Sequence, residues 1–181
     1  MKQGIFFVTV LAILALISSI FAGVENPKTV ESVDLKRYTG KWFEIARYPN
    51  RFQKQCVGNV TAEYSLQSNN RITVINKCLE KNGKLDEAKG EAKIVDTESN
   101  AKLEVRFAPK FLSFLPFVWG DYWILDLGQN YEYALVGSPD RKYLWILSRT
   151  QNLDTQTYEK LRQTAQREGF NADKLVKTLQ K

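Results

Sequence analysis

Three residue sets in this chain have types and spacing that can do chemistry. The first joins Gly40-Lys41-Trp42, which opens the strand-like run Lys41–Tyr48, to Arg149, which closes the run Lys142–Ser148 about a hundred residues later. A glycine that lets the chain turn, a tryptophan at a strand start and a distant arginine suit one physical job. The indole plugs one end of a β-barrel and the guanidinium stacks over it, a cation–π contact of roughly 0.5–2 kcal/mol. The other end of such a barrel is open, and what fills it carries the function. The second set is Cys56 and Cys78, the two cysteines of the chain. An even count in an exported protein predicts one disulfide, the alternative being two buried free thiols. The third set is empty: there is no histidine. That removes the usual general base, the commonest metal ligand and every Ser-His or Cys-His arrangement. Most hydrolases and zinc enzymes are thereby disfavoured, and no metal or cofactor is expected.

The elements that must hold these residues are short. From residue 41 to 149, β-rich runs alternate with turn residues. The runs are Lys41–Tyr48, Val57–Gln67, Arg71–Glu80, Glu87–Val95, Lys102–Ala108, Val118–Leu127, Tyr131–Val136 and Lys142–Ser148. Breaks such as Ser68-Asn69-Asn70, Lys81-Asn82-Gly83 and Gly128-Gln129-Asn130 tolerate tight-turn dihedrals. Connections this short make antiparallel hairpins, because parallel strands need long crossovers. Eight hairpin-linked strands form an up-and-down meander, and eight strands close into a barrel that holds its own side chains or one small ligand. The predicted fold is all-β with one flanking helix.

The helix follows the last strand. Asp154-Thr155 can cap it, Thr155–Glu168 puts Tyr158, Leu161 and Ala165 on one face, and Gly169 stops it. It is expected on the outside of the barrel. Asp173–Thr178 reads as a last short strand. One long interruption, Pro109–Phe117, is apolar but bounded by prolines, so it is a loop rather than a central strand. It either covers core or presents Phe111, Leu112, Phe114 and Leu115 to lipid. Within strands, successive side chains alternate faces. Val60, Ala62 and Tyr64 share one face; so do Leu103, Val105 and Phe107, Tyr122 and Ile124, and Tyr143, Trp145 and Leu147. Leu144 and Ile146 are apolar on the opposite face, so the pattern alone leaves open which set points inward.

The chain has 181 residues, enough for one domain. Residues 1–22 read as a secretory signal: Lys2, the apolar stretch Ile5–Ile17, and small residues ending at Ala22. The alternative is an uncleaved anchor. Residues 23–32 read as an N-terminal extension, with Gly23–Thr29 as a linker. Lys+Arg total 26 against 20 Asp+Glu, a net charge of +6. The basic residues are interspersed with acidic ones, which argues for a solvated mixed surface and against nucleic-acid binding. A mild attraction to anionic lipid surfaces is compatible with it. Asn59-Val60-Thr61 forms a glycosylation sequon, without meaning in a bacterial source.

Three segments carry a family resemblance: Tyr38-Thr39-Gly40-Lys41-Trp42-Phe43-Glu44-Ile45-Ala46-Arg47, then Gly137-Ser138-Pro139-Asp140-Arg141 running on to Arg149, then Arg167-Glu168-Gly169-Phe170. Together they resemble the lipocalin family from about Val33 to the C-terminus, most of all the bacterial lipocalins, which are similar to apolipoprotein D and the plant temperature-induced lipocalins. The resemblance implies an eight-stranded calyx over 33–181, with Trp42 and Arg149 at its closed end and a short helical turn over Asp34–Tyr38 sealing the base. It implies that Tyr143, Trp145 and Leu147 point inward, and that Tyr64, Phe107, Tyr122 and Trp145 line a ligand cavity. Ile124 and Val136 are added from the alternation. Cys56 and Cys78 would both sit near the open rim. Glu44 alternates with Trp42 and would point into the barrel, where a buried carboxylate needs partners.

The sequence departs from the bacterial subgroup in one respect: no cysteine for lipid attachment follows the signal, where Gly23 and Val24 stand. The function that follows is a carrier of the cell envelope for a fatty acid or lysophospholipid, without catalytic residues. Lys54, Arg51 and Lys110 are candidates to meet the head group. The location is exported, periplasmic or outer-membrane-associated, or secreted if the source is not bacterial. Peripheral contact with membrane lipid is a further expectation, and a homodimer stays open. The competing readings are a filled barrel acting as a structural or interaction module, and a calyx enzyme acting on a lipid.

Overall fold

The computed structural model describes residues 25–181. The expected signal at 1–22 lies outside the described residues. Eight long strands follow one another: β1 (Gly40–Arg47), β2 (Cys56–Leu66), β3 (Arg71–Glu80), β4 (Leu85–Ile94), β5 (Lys102–Arg106), β6 (Gly120–Leu127), β7 (Tyr133–Gly137) and β8 (Leu144–Ser148). Each pairs antiparallel with the next. β8 returns to β1, with Phe43 opposite Ser148, and the barrel is closed. Helix α1 (Leu35–Tyr38) precedes it and helix α2 (Thr155–Arg167) follows, each capped by an aspartate side chain, Asp34 and Asp154. A two-residue strand, β9 (Val176–Lys177), adds to β1.

Element ends differ from the sequence reading for local reasons. β6 starts at Gly120 rather than Val118 because Pro116–Val118 coil into a 3-10 turn. β5 stops at Arg106, since its last partner on β6 is Gly120, opposite Val105. The C-terminal strand shrinks because Asn171 caps a 3-10 turn over Ala172–Lys174. The segment read as a linker is tied down: Arg141 Nη2 donates to the carbonyl of Glu25, Lys28 N–H to Glu168 and Val30 N–H to Ile124.

Two apolar clusters settle which face is which. Trp42, Tyr64, Ile72, Val74, Ala92, Leu103, Tyr122, Ile124, Val136 and Leu147 pack together inside the barrel, with Trp145 against them. Outside it, Leu125, Leu135, Leu144 and Ile146 pack under Tyr158, Leu161 and Ala165 of α2. The apolar residues on both faces of β8 are thus explained: one face is barrel interior, the other is the seat of the helix.

The barrel wall is not uniform. β1 and β2 pair only from Gly40 opposite Tyr64 to Phe43 opposite Thr61, and β2 is then irregular through Gly58. The C-terminal tail occupies the seam. Thr178 N–H donates to the carbonyl of Ile45 on β1, and Asn59 N–H on β2 donates to the carbonyl of Leu179. Gln180 Nε2 bridges both strands, donating to the carbonyls of Glu44 and Val60. A Cβ at residue 58 would stand 2.7 Å from the Leu179 carbonyl oxygen, so this close approach requires Gly58.

Candidate functional site

The closed end is built on Trp42, fully buried. Its indole N–H donates to the carbonyl of Tyr38 at 2.9 Å. The Arg149 guanidinium lies 3.8 Å from the centre of its ring. Gly40 makes the geometry possible: its φ is +90°, and a Cβ there would also meet Arg149 Nη1. α1 brings Tyr38 beneath the barrel. Its hydroxyl meets that of Tyr122 at 2.8 Å, and Tyr64 meets Tyr122 at 3.0 Å. Burial pushes the Tyr38 and Tyr122 hydroxyls well above their ordinary value and Tyr64 up to about 12. The three remain neutral and share protons as a hydrogen-bonded floor.

Above this floor the wall is aliphatic, with Ile124 and Val136 fully buried in the same cluster. Trp145 is half-buried higher on the wall. It stacks on Tyr143, with centroids 5.8 Å apart and planes 8° apart, and Phe52 leans on Tyr143 in turn at 5.9 Å. Tyr64, Tyr122, Ile124, Val136 and Trp145 therefore share one internal surface. Phe107 keeps its ring on the inner face, over Gly90, but is not part of that buried cluster. It lies beyond the end of β5, 43 % exposed. Its ring packs where a Cβ on Gly90 would stand, 2.7 Å away. The Cys56–Cys78 disulfide ties the start of β2 to the end of β3, with Cα atoms 5.5 Å apart. Both cysteines are at the end opposite Trp42, the open end of the up-and-down topology.

Glu44 is buried, 3 % exposed, and has a full set of donors. Arg47 Nη1 reaches it at 2.6 Å, Gln53 Nε2 at 2.7 Å, and the Thr178 hydroxyl completes the set. Gln53 Oε1 accepts from the Trp145 indole at 3.2 Å. The partners of this carboxylate come from β1 itself, the β1–β2 loop and the C-terminal tail. Strict alternation from Trp42 and Glu44 would turn Arg47 outward. A bulge between Glu44 and Ala46 reverses this: Ala46 moves under α2, and Arg47 comes level with Trp145 on the inner face. Sequence reasoning missed Arg47 because a bulge leaves no residue signature here. Among the described residues its hydrogen bonds use Nη1 alone, so Nε and Nη2 have donors to spare.

The rim cations chosen from sequence fare differently. Arg51 stacks on Phe52, 4.9 Å from the ring centre, and Lys54 is exposed on the same loop. Lys110 is not over the mouth. It lines a cleft on the outer wall with Arg71, Lys93 and Arg106.

A family model described as a lipocalin-like domain matches residues 33–180. The chain belongs to that family. The lipocalin is 42 % identical over 155 residues to temperature-induced lipocalin-1 of Arabidopsis thaliana, covering 84 % of this chain and 82 % of that one. It is 40 % identical over 148 residues to the outer membrane lipoprotein Blc of Citrobacter freundii, covering 81 % and 79 %. Apolipoprotein D of Mus musculus is 34 % identical over 190 residues, covering 94 % and 95 %. Among solved structures, insecticyanin from the tobacco hornworm Manduca sexta superimposes with a TM-score of 0.67 at 22 % identity, over 87 % of this lipocalin and 86 % of that chain. That likeness is one of fold.

Proposed function

We propose that this lipocalin is an exported, non-catalytic carrier that holds a fatty acid or lysophospholipid with its chain inside the barrel. The observation that carries the reading is the internal surface itself. A floor of three neutral tyrosines, a wall of Ile124 and Val136, and the Tyr143–Trp145 stack supply an aromatic and aliphatic lining. Such a lining suits an acyl chain, which gains about 0.8 kcal/mol per buried CH2. Ten methylenes would supply about 8 kcal/mol before ordering costs. Micromolar affinity corresponds to about 8 kcal/mol net, so binding in that range is reachable.

The head group belongs near Arg47, whose unused guanidinium edge can donate to a carboxylate or phosphate beside Trp145. Glu44 holds that edge in place. Arg47 replaces Lys110 in this role, while Arg51 and Lys54 supply only rim charge. Names among the relatives, an outer membrane lipoprotein and an apolipoprotein, agree with an envelope or secreted location. In our reading residues 1–22 direct export.

A second reading is favoured by one observation: the tyrosine hydroxyls satisfy one another, as in a core that needs no ligand. Lipid extraction separates the two. Mass spectrometry of protein purified from its source should find fatty acid or lysophospholipid near one per chain. An empty extract, together with no uptake of a fluorescent fatty acid, would favour the filled barrel.

A further inference from the structure

The outer face of β3–β5 carries a site that the barrel ligand does not explain. Ile72, Val74, Ala92 and Val105 pack into the interior cluster, so Arg71, Glu91, Lys93 and Arg106 between them face outward. The β5–β6 loop folds back over this face, and a cleft of about 220 Å³ remains between them. A water molecule occupies about 30 Å³ in the liquid, so a phosphate fits with room for hydration. The cleft is lined by Arg71, Lys93, Arg106 and Lys110, with Glu91 as the one acidic residue. The Trp119 ring lies under three of the cations: Lys93 Nζ at 4.5 Å, the Arg106 guanidinium at 5.1 Å and that of Arg71 at 5.6 Å.

Arg106 is the decisive residue. It is only 4 % exposed, although it faces outward. One terminal nitrogen donates to the Ala108 carbonyl and the other is 3.8 Å from Glu91. Its Nε–H, also buried, has no partner among the described residues. A buried donor on a charged group is costly to leave unmade. Glu91 is already engaged by Arg71 at 3.1 Å. Lys93 is held by Glu104 at 2.6 Å, so the positive charge left over in the cleft is that of Arg106 and Lys110.

We propose that this cleft binds a phosphate group, and that the phosphate is the head group of a bilayer phospholipid. The loop that roofs the cleft argues for the bilayer source. Phe111, Phe114 and Phe117, spaced three apart between Lys110 and Trp119, are 75, 77 and 80 % exposed. Three bare aromatic rings beside an anion site match an interface in which rings enter the acyl boundary while the cations take the phosphate. The site is separate from the barrel lining, and the inference stands whatever the barrel carries. It adds a fixed docking side: the carrier would meet a membrane through the outer wall of β3–β5.

The test is co-sedimentation with phosphatidylcholine vesicles that contain phosphatidylglycerol. Arg71→Gln/Lys93→Gln removes two half-exposed cations of the cleft and spares buried Arg106. Lys81→Gln/Lys84→Gln removes the same charge from the β3–β4 turn. The cleft pair should weaken binding roughly tenfold more than the control pair. Replacing the three phenylalanines by serine should also release the protein, and glycerol phosphate should compete with vesicles. Melting curves show that each variant is folded. Equal losses from both double variants would reduce the effect to diffuse charge and overturn the site. Wild-type protein that binds inorganic phosphate but no vesicles would overturn the bilayer source.

Discussion

Arg149 stacks on Trp42 at 3.8 Å while its guanidinium donates to four backbone carbonyls, those of Arg37, Tyr38, Lys41 and Tyr131. One side chain thus clamps α1, the start of β1 and the β6–β7 turn onto the indole that closes the barrel. Trp42→Ala should cost about 3–5 kcal/mol, as for a buried core tryptophan. Arg149→Ala should cost on the order of 2 kcal/mol, since it removes the cation–π contact and leaves carbonyls short of donors. The double variant should lose less than the sum, by roughly 1 kcal/mol or more, because both changes break one contact. Denaturant melts of the two singles and the double measure this. Strictly additive losses would separate the two residues energetically.

The tyrosine floor sets the alkaline limit of stability. The folded-state values of Tyr38, Tyr64 and Tyr122 are raised, principally by burial. An unfolded tyrosine loses its proton near pH 10, whereas folded Tyr64 keeps its proton to about 12 and burial holds Tyr38 and Tyr122 well above their ordinary value. Above about pH 10 the folded state therefore binds more protons than the unfolded one, and stability falls as pH rises. Below about pH 10 the contribution is fully present. Thermal melts from neutral to strongly alkaline pH should show the decline in wild type and a shallower one in Tyr122→Phe. The same steepness in both would mean that other groups set the limit.

The tail is a structural part of the barrel wall. Deleting Thr178–Lys181 strips donors from the carbonyls of Ile45, Glu44 and Val60, the acceptor from Asn59 N–H, and the Thr178 hydroxyl from Glu44. At about 1 kcal/mol per hydrogen bond, the five bonds lost predict a loss on the order of 5 kcal/mol. Amide exchange should quicken at Ile45–Arg47 and Val57–Val60, the two sides of the opened seam. Unchanged exchange there would show that β1 and β2 hold the seam without the tail.

Much of the fold was legible because alternation and turn residues are local signals. Eight strands, the outer helix face of Tyr158, Leu161 and Ala165, and the family motifs were all readable. The features that remained hidden depend on irregular backbone or long-range approach. Nothing in Glu44-Ile45-Ala46-Arg47 announces the bulge that turns Arg47 inward. The partners of Glu44 arrive from residues 53 and 178, which no periodicity connects. Lys110 reads as a rim candidate for the head group, yet its loop folds down the outer wall. Phe107 kept its inward register, but the β4–β5 ladder ends one residue before it, at Arg106, so it stands exposed on Gly90.

The central claim is that the barrel holds an acyl chain beside Trp145. A fluorescent fatty-acid titration of wild type and Trp145→Ala, run beside a denaturant melt of each, tests it most directly. Wild type should bind one ligand saturably in the micromolar range. Trp145→Ala should weaken binding markedly while its folding loss stays below the roughly 3–5 kcal/mol of a core tryptophan, since a ligand site is incompletely packed. Unchanged affinity, or no saturable binding at all, together with a full core-sized loss of stability would mean that Trp145 fills a closed core, and the carrier reading would fail.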